Sequence, residues 1–185
     1  MLSLVLDRVV GRSSAELDTL VDAYNAHAPE IFRVLRRLGV ADSAVEDAVQ
    51  DVFAVAWRRR EDFEGRSSQR TWLYGIARKV ARDYRRKRQR ATRETPDLER
   101  LPGGSDPGTH SEAVEAARLV DSALKQMSEV LREVFVLVEI EQLTAPETAE
   151  ILSVPLNTVY SRTRLARQQF RTLVDAALAP RQVMP

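Results

Sequence analysis

Cysteine is absent from this 185-residue chain, and glycine (7), aromatic residues (6%) and histidine (2) are scarce. Without a thiol there can be no disulfide, no thiol nucleophile and no cysteine-ligated metal. His27 and His110 lie far apart and match no metal-ligand spacing, so neither a metal site nor a cofactor is expected. No Gly-rich phosphate loop and no nucleophile–base motif is present, and the acidic residues fall at helical surface spacings, which argues against an enzyme. No apolar run approaches the roughly 20 residues that span a bilayer, so no membrane insertion is expected. Residues 1–10 are apolar but short, carry Asp7 and Arg8 and lack a cleavage site. They read as a lead-in rather than a signal peptide, and the expected compartment is cytoplasmic.

What remains is Leu, Ala, Val, Arg and Glu in long stretches with few turn residues, a pattern that favours helix over sheet. The spacing predicts a first helix over 14–38, with Leu17, Leu20, Val21, Tyr24, Ala28, Ile31, Leu35 and Leu38 on one stripe, a kink or break at Pro29 and a stop at Gly39. Ser43 and Glu46 have the spacing of a capping box for a second helix, whose stripe is Val45, Ala48, Val49, Val52, Phe53, Ala56 and Trp57. A polar loop over 61–69 leads to a third helix reaching residue 90, which buries Trp72, Leu73, Ile76, Ala77, Val80 and Tyr84. Residues 92–111 hold Pro96, Pro102, Gly103, Gly104, Pro107 and Gly108 without apolar periodicity and read as a flexible linker. Four shorter helices follow, over 112–127, from Ser128 to residue 140, from a Thr144/Glu147 capping box to residue 152, and over 157–177. The expected fold is therefore all-α, with one helical domain over 14–91, a linker over 92–111 and a second domain over 112–177.

The net charge of +1 hides an asymmetry. Residues 58–93 hold 14 basic side chains against Glu61, Asp62, Glu64 and Asp83, whereas 94–150 is acidic, and Arg162, Arg164, Arg167 and Arg171 follow without an acid among them. Two basic blocks separated by an acidic one suggest two places that meet phosphate. The second block sits in a helix-turn-helix pattern over 144–171: a short capped helix with small Ala149, a tight Ser153-Val154-Pro155 turn, and a helix that opens on polar residues and continues with arginines. The first turns of such a helix fit a major groove, where side chains meet base edges and arginines hold phosphates. By pattern alone a helical hairpin with basic decoration fits the same segment.

Residues 124–171, carrying Leu124-Lys-Gln-Met-Ser-Glu-Val-Leu-Arg-Glu-Val-Phe, Thr144-Ala-Pro-Glu-Thr-Ala-Glu-Ile-Leu-Ser-Val-Pro, Thr158-Val-Tyr-Ser-Arg and Ala166-Arg, resemble the −35-binding region of sigma-70-type RNA polymerase sigma factors. Glu46-Asp-Ala-Val-Gln-Asp-Val-Phe-Ala-Val-Ala-Trp and Thr71-Trp-Leu-Tyr-Gly-Ile-Ala-Arg-Lys resemble the same family's core-binding and −10 region. Both blocks occur in the family's order, and the short linker is similar to that of the extracytoplasmic-function (ECF) subgroup. Ser128 stands where the family usually has Pro and Asn157 where Gly is common; both suit helix caps. Thr163 occupies a usually apolar site, and Lys79 replaces a common Asn.

The resemblance implies a protein that binds core RNA polymerase, recognises −35 and −10 promoter DNA and assists strand opening, without covalent chemistry of its own. It places Asp47, Gln50 and Asp51 against the clamp coiled coil of the largest polymerase subunit, and the second domain near the flap. It assigns −10 contacts to Arg66, Ser67, Ser68, Arg78, Lys79, Arg82, Arg85 and Arg86, with Trp72 read as core. It assigns −35 contacts to Asn157, Thr158, Tyr160, Ser161 and Arg164 at base edges and to Arg162 and Arg167 at phosphates. It also implies an anti-sigma partner. Two other classes stay open at this point. A stand-alone helix-turn-helix regulator explains the last helix but not the 46–57 and 71–79 blocks, and a helical protein that sequesters another factor would not need to touch DNA.

Overall fold

The computed structural model describes residues 14–65, 67–94 and 112–179. Residues 1–13, Arg66, the greater part of the expected linker, 95–111, and residues 180–185 lie outside the described residues. Among the described residues seven α-helices follow one another: α1 (Ser14–Arg37), α2 (Val45–Arg58), α3 (Gln69–Glu94), α4 (Glu112–Gln126), α5 (Glu129–Phe135), α6 (Ala145–Leu152) and α7 (Leu156–Leu178). There is no strand among the described residues.

The expected helices form, with informative differences at their ends. Helix α1 runs unbroken through Pro29. Ser43 and Glu46 do not make a capping box: a 3-10 turn over Asp42–Ala44 precedes α2, whose N-cap is Ala44 with no side-chain hydrogen bond. Ser128 occupies the N-cap of α5 without capping it through its side chain. Pro155, not Asn157, is the N-cap of α7, so Asn157 lies within its first turn. Helix α3 continues to Glu94, which shortens the expected linker at its start. The Thr144/Glu147 box forms as expected: Glu147 N–H donates to Thr144 Oγ1 (3.4 Å) and Thr144 N–H donates to Glu147 Oε2 (2.9 Å). Such a box satisfies two donors that the helix backbone leaves open.

Helices α1–α3 enclose Ile31, Val34, Leu35, Leu38, Val52, Phe53, Leu73 and Tyr74, all essentially solvent-free. Helices α4–α7 enclose Leu124, Val134, Leu137, Val159 and Ala166, and Phe135 stacks on Phe170 with centroids 4.5 Å apart. Burying each such large apolar side chain stabilises the fold by about 1.5–3 kcal/mol. After α5 the chain widens into a π-helical turn over Val136–Ile140, closed by a hydrogen bond from Glu141 N–H to Val136 O (2.9 Å). Gln142 then takes a left-handed conformation (φ 58°).

The two helical groups are packed together. Helix α3 lies against α6, and α1 meets α4. The seam is polar at its heart. Glu141, 6% exposed, receives Arg37 Nη1 (2.7 Å) and the Tyr74 hydroxyl (2.8 Å) on its carboxylate and Arg70 Nη2 (3.1 Å) on its carbonyl. Thr71 Oγ1 donates to Glu147 (3.0 Å).

Candidate nucleic-acid interface

The helix-turn-helix is built by α6, the turn and α7. Ser153 closes α6 in a left-handed conformation (φ 55°), and Val154 N–H reaches back to Ala149 O (3.1 Å). This is a helix stop usually made by glycine. Pro155 then sets the start of α7. Val159, Thr163 and Ala166 form the buried edge of α7; the Thr163 hydroxyl, at a site the family usually fills with an apolar residue, donates to Val159 O (2.8 Å) and so needs no other partner. Turning away from that edge, Asn157, Tyr160, Ser161 and Arg164 are exposed, Tyr160 at 58%, while Thr158 and Arg162 are half-buried. Arg164 makes no ion pair among the described residues. Arg167 is held by Glu139 (2.8 Å), whose hydrogen bond raises the pKa of the guanidinium.

On the first domain, Lys79, Arg82 and Arg86 are exposed along α3 and make no ion pair among the described residues. Arg78 and Arg85 do not share that position. Arg78 Nε donates to Glu133 (2.8 Å) and Nη1 to Ile151 O (3.1 Å). Arg85, 7% exposed, binds Glu129 (2.6 Å), Glu133 (3.1 Å) and Leu38 O (2.5 Å). The basic residues of α3 expected at −10 DNA are thus divided: three cations face water and two lie inside the seam, because α5 brings a 7%-exposed carboxylate, Glu133, against α3. Burial opposes the charge of Glu129, but the Arg85 hydrogen bond and charge outweigh it and lower its pKa. At Glu30, too, burial is outweighed by the neighbouring Tyr74 hydroxyl and the hydrogen bond from Arg70 (2.7 Å), and its pKa falls. Burial and the neighbouring carboxylates Glu30 and Glu141 push the Tyr74 hydroxyl far above its ordinary value.

At the start of α3, Ser68 Oγ accepts from Thr71 N–H (3.0 Å), so this hydroxyl is engaged as a helix cap; Ser67 is half-buried, and Arg66 lies outside the described residues. Trp72 is half-buried against Phe63, centroids 5.2 Å apart. On α2, Asp47 is exposed, Gln50 is half-buried and Asp51 accepts from the Tyr84 hydroxyl (2.8 Å). Sequence reasoning missed the carboxylates Glu133 and Glu141 and their partners Arg37 and Tyr74. The one signal for them was the acidity of 94–150 opposite the basic strip.

Residues 23–91 match the family described as Sigma-70 region 2, and residues 117–170 match Sigma-70, region 4. The RNA polymerase sigma factor CnrH of Cupriavidus metallidurans is 34% identical over 81% of this chain and 83% of its own length. The ECF RNA polymerase sigma-E factor of Haemophilus influenzae is 31% identical, covering 74% of this chain and 77% of that protein. Among solved structures, CnrH in complex with the cytosolic domain of CnrY superposes with a TM-score of 0.65 (27% identity; 94% of this chain, 96% of that one). The sigma factor RpoE in complex with the anti-sigma factor NepR from Bartonella quintana superposes with a TM-score of 0.69 at 23% identity, covering 82% of this chain and 94% of that one, a likeness of fold. No described helix is long and apolar enough to cross a membrane. Two sigma-70 regions in order, a helix-turn-helix with a polar leading turn, and these relatives give one conclusion: the chain belongs to the sigma-70 family of RNA polymerase sigma factors, in its ECF group, and directs promoter-specific initiation through core polymerase.

Proposed function

We propose that the first domain (14–91) binds core polymerase and the −10 element, that the second (112–177) reads the −35 element, and that the chain works in the cytoplasm and leaves all covalent chemistry to polymerase. The observation that carries this reading is the leading turn of α7. Its buried edge, Val159, Thr163 and Ala166, is spent on the fold, which leaves Asn157, Tyr160, Ser161 and Arg164 outward. Those residues, with Thr158, meet base edges, and Arg162 and Arg167 meet phosphates, Arg167 after exchanging Glu139 for DNA. Asp47, Gln50 and Asp51 dock on the clamp coiled coil, with Asp51 oriented by Tyr84.

On the −10 side, Lys79, Arg82 and Arg86 are available to phosphate, together with the loop residues Arg66, Ser67 and Ser68. Arg78 and Arg85 join them once Glu133 lets go, so the seam between the domains and the promoter compete for the same guanidiniums. The solved relatives are complexes with the cytosolic domain of CnrY and with the anti-sigma factor NepR. An anti-sigma partner that stabilises the closed pair of domains fits this arrangement.

Run-off transcription with purified core polymerase tests the reading. Initiation is expected only when the chain is added, and Arg164→Ala is expected to weaken −35 protection in a footprint. No initiation with core polymerase on a promoter library, or an Arg164→Ala footprint identical to the parent, would overturn it.

A further inference from the structure

At the seam, α1 and the turn after it face α4 and α5 across a cavity of about 700 Å³. Its cationic lining comes from both domains: Arg36, Arg37 and Arg88 from the first, Lys125 and Arg132 from the second; the acids in the lining are Asp42 and Asp121. Arg36 takes up both acids (2.8 and 3.6 Å), and Arg37 is committed to Glu141. Nothing in the lining is left to neutralise Arg132 or Lys125, and Lys125 makes no ion pair among the described residues.

Arg132 is the unusual member. It is 91% removed from solvent, with 9% of its surface exposed, yet its Nε has no hydrogen-bond partner, and its one contact to an acceptor is a long 3.5 Å approach to Leu124 O. A buried guanidinium with no carboxylate in direct ion-pair contact is costly, and a buried unsatisfied donor calls for an explanation such as a bound ion. Burial and the neighbouring Arg85 lower its pKa and outweigh the pull of Glu129 and Glu133, carboxylates that Arg78 and Arg85 already engage. The guanidinium lies flat on Gly39, where an added Cβ would stand 2.9 Å from Cζ. Gly39 has no side chain to fill that space, and its φ of 92° suits glycine. The backbone is thus shaped to hold an arginine that makes no ion pair among the described residues and whose Nε has no hydrogen-bond partner there.

We propose that this cavity binds a small polyphosphate-bearing anion held by Arg132 and Lys125 of the second domain against the first domain's wall, where Arg36 turns from Asp121, its longer contact, to the ligand. The fixed fork of Arg132 suits phosphate oxygens, and five cations against two acids in the lining suit an anion of more than one charge. The volume falls within the roughly 300–1,000 Å³ of small-molecule sites. Val40, Ala41 and Leu124 in the wall leave an apolar side for the body of a nucleotide-sized ligand. Because the site is split between the domains, its ligand binds the closed form alone and holds the domains together by mass action.

The test uses the full chain with inorganic pyrophosphate in magnesium-free buffer, ionic strength being matched with chloride, and reads calorimetric affinity and melting temperature. Pyrophosphate is expected to bind at one site and raise the melting temperature, chloride alone is not, and Arg132→Met is expected to weaken binding by about tenfold or more. Lys125→Met, on the exposed rim, supplies a second variant whose fold is not at stake, with a smaller loss expected. No binding by the parent chain means that the cavity holds only water and overturns the proposal. Equal binding by the parent and Lys125→Met and Arg132→Met chains means general screening and overturns it too. Neither readout involves polymerase or promoter, so this outcome is independent of run-off transcription.

Discussion

Replacing Glu133 by Gln removes the charge that holds two arginines of α3 in the seam while keeping the size of the side chain. In the parent, Glu133 accepts from Arg78 at 2.8 Å and Arg85 at 3.1 Å and is 7% exposed. Hydrogen bonds to charged groups are worth about 1.5–3 kcal/mol each, and breaking a buried pair by removing one partner costs about 3–5 kcal/mol. Arg85 keeps Glu129, and both arginines can reach water if the domains part, so the loss to the closed form should be about 2–4 kcal/mol. That is a shift of roughly 30- to 700-fold toward separated domains. The chain has no cysteine, so cysteines introduced at the exposed positions Asp22 and Ala176 take a fluorophore pair without side reactions. Energy transfer is expected to fall in Glu133→Gln, and the affinity of the free protein for promoter DNA is expected to rise. A variant with unchanged energy transfer and unchanged DNA affinity would refute the competition between Glu133 and phosphate.

Arg82→Ala with Arg86→Ala is expected to flatten the plot of log affinity against log salt by about 0.9 per lost phosphate contact; an unchanged slope would remove these two residues from the interface. Ser153→Gly is expected to raise stability by about 0.5–1 kcal/mol in urea unfolding, because Ser153 sits at φ 55°, a conformation glycine adopts without penalty; a loss of stability would contradict this. The folded pKa values of Glu30, Glu129 and Glu147 lie below their ordinary value of 4.5. Depressed carboxylates bind fewer protons folded than unfolded, so their contribution is complete above about pH 5 and is lost as the pH falls through the folded pKa values. Melting temperatures are expected to be flat on their account from pH 6 to 8 and to drop in acid; a rise in stability on acidification would contradict the assignment.

The helices were legible because each bundle has apolar stripes at helical spacing, and Val159, Ala166 and Leu35 lie where those stripes predict. The Thr144 box was legible because donor and acceptor are three residues apart. Ser43 misled for the same local reason: the chain spends Asp42–Ala44 on a 3-10 turn, which moves the start of α2 past the reach of that hydroxyl. The division of the basic strip was not legible. Arg78 and Arg85 meet a carboxylate 55 and 48 residues away, and nothing near either arginine distinguishes it from exposed Arg82. Charge excess in a segment tells which sign attracts it, not whether phosphate or its own neighbour answers.

The π turn over Val136–Ile140 sets the aim of Glu141, the carboxylate on which Arg37, Arg70 and Tyr74 converge. A π turn accommodates one residue more than an α turn, and one residue of α-helix is about 100° of rotation. Shortening this stretch by a single residue would therefore swing Glu141 about a quarter of a circle off its target and unfasten both helices at once. Loop-length variation, usually harmless, becomes at this joint a way to set how readily the molecule unclasps.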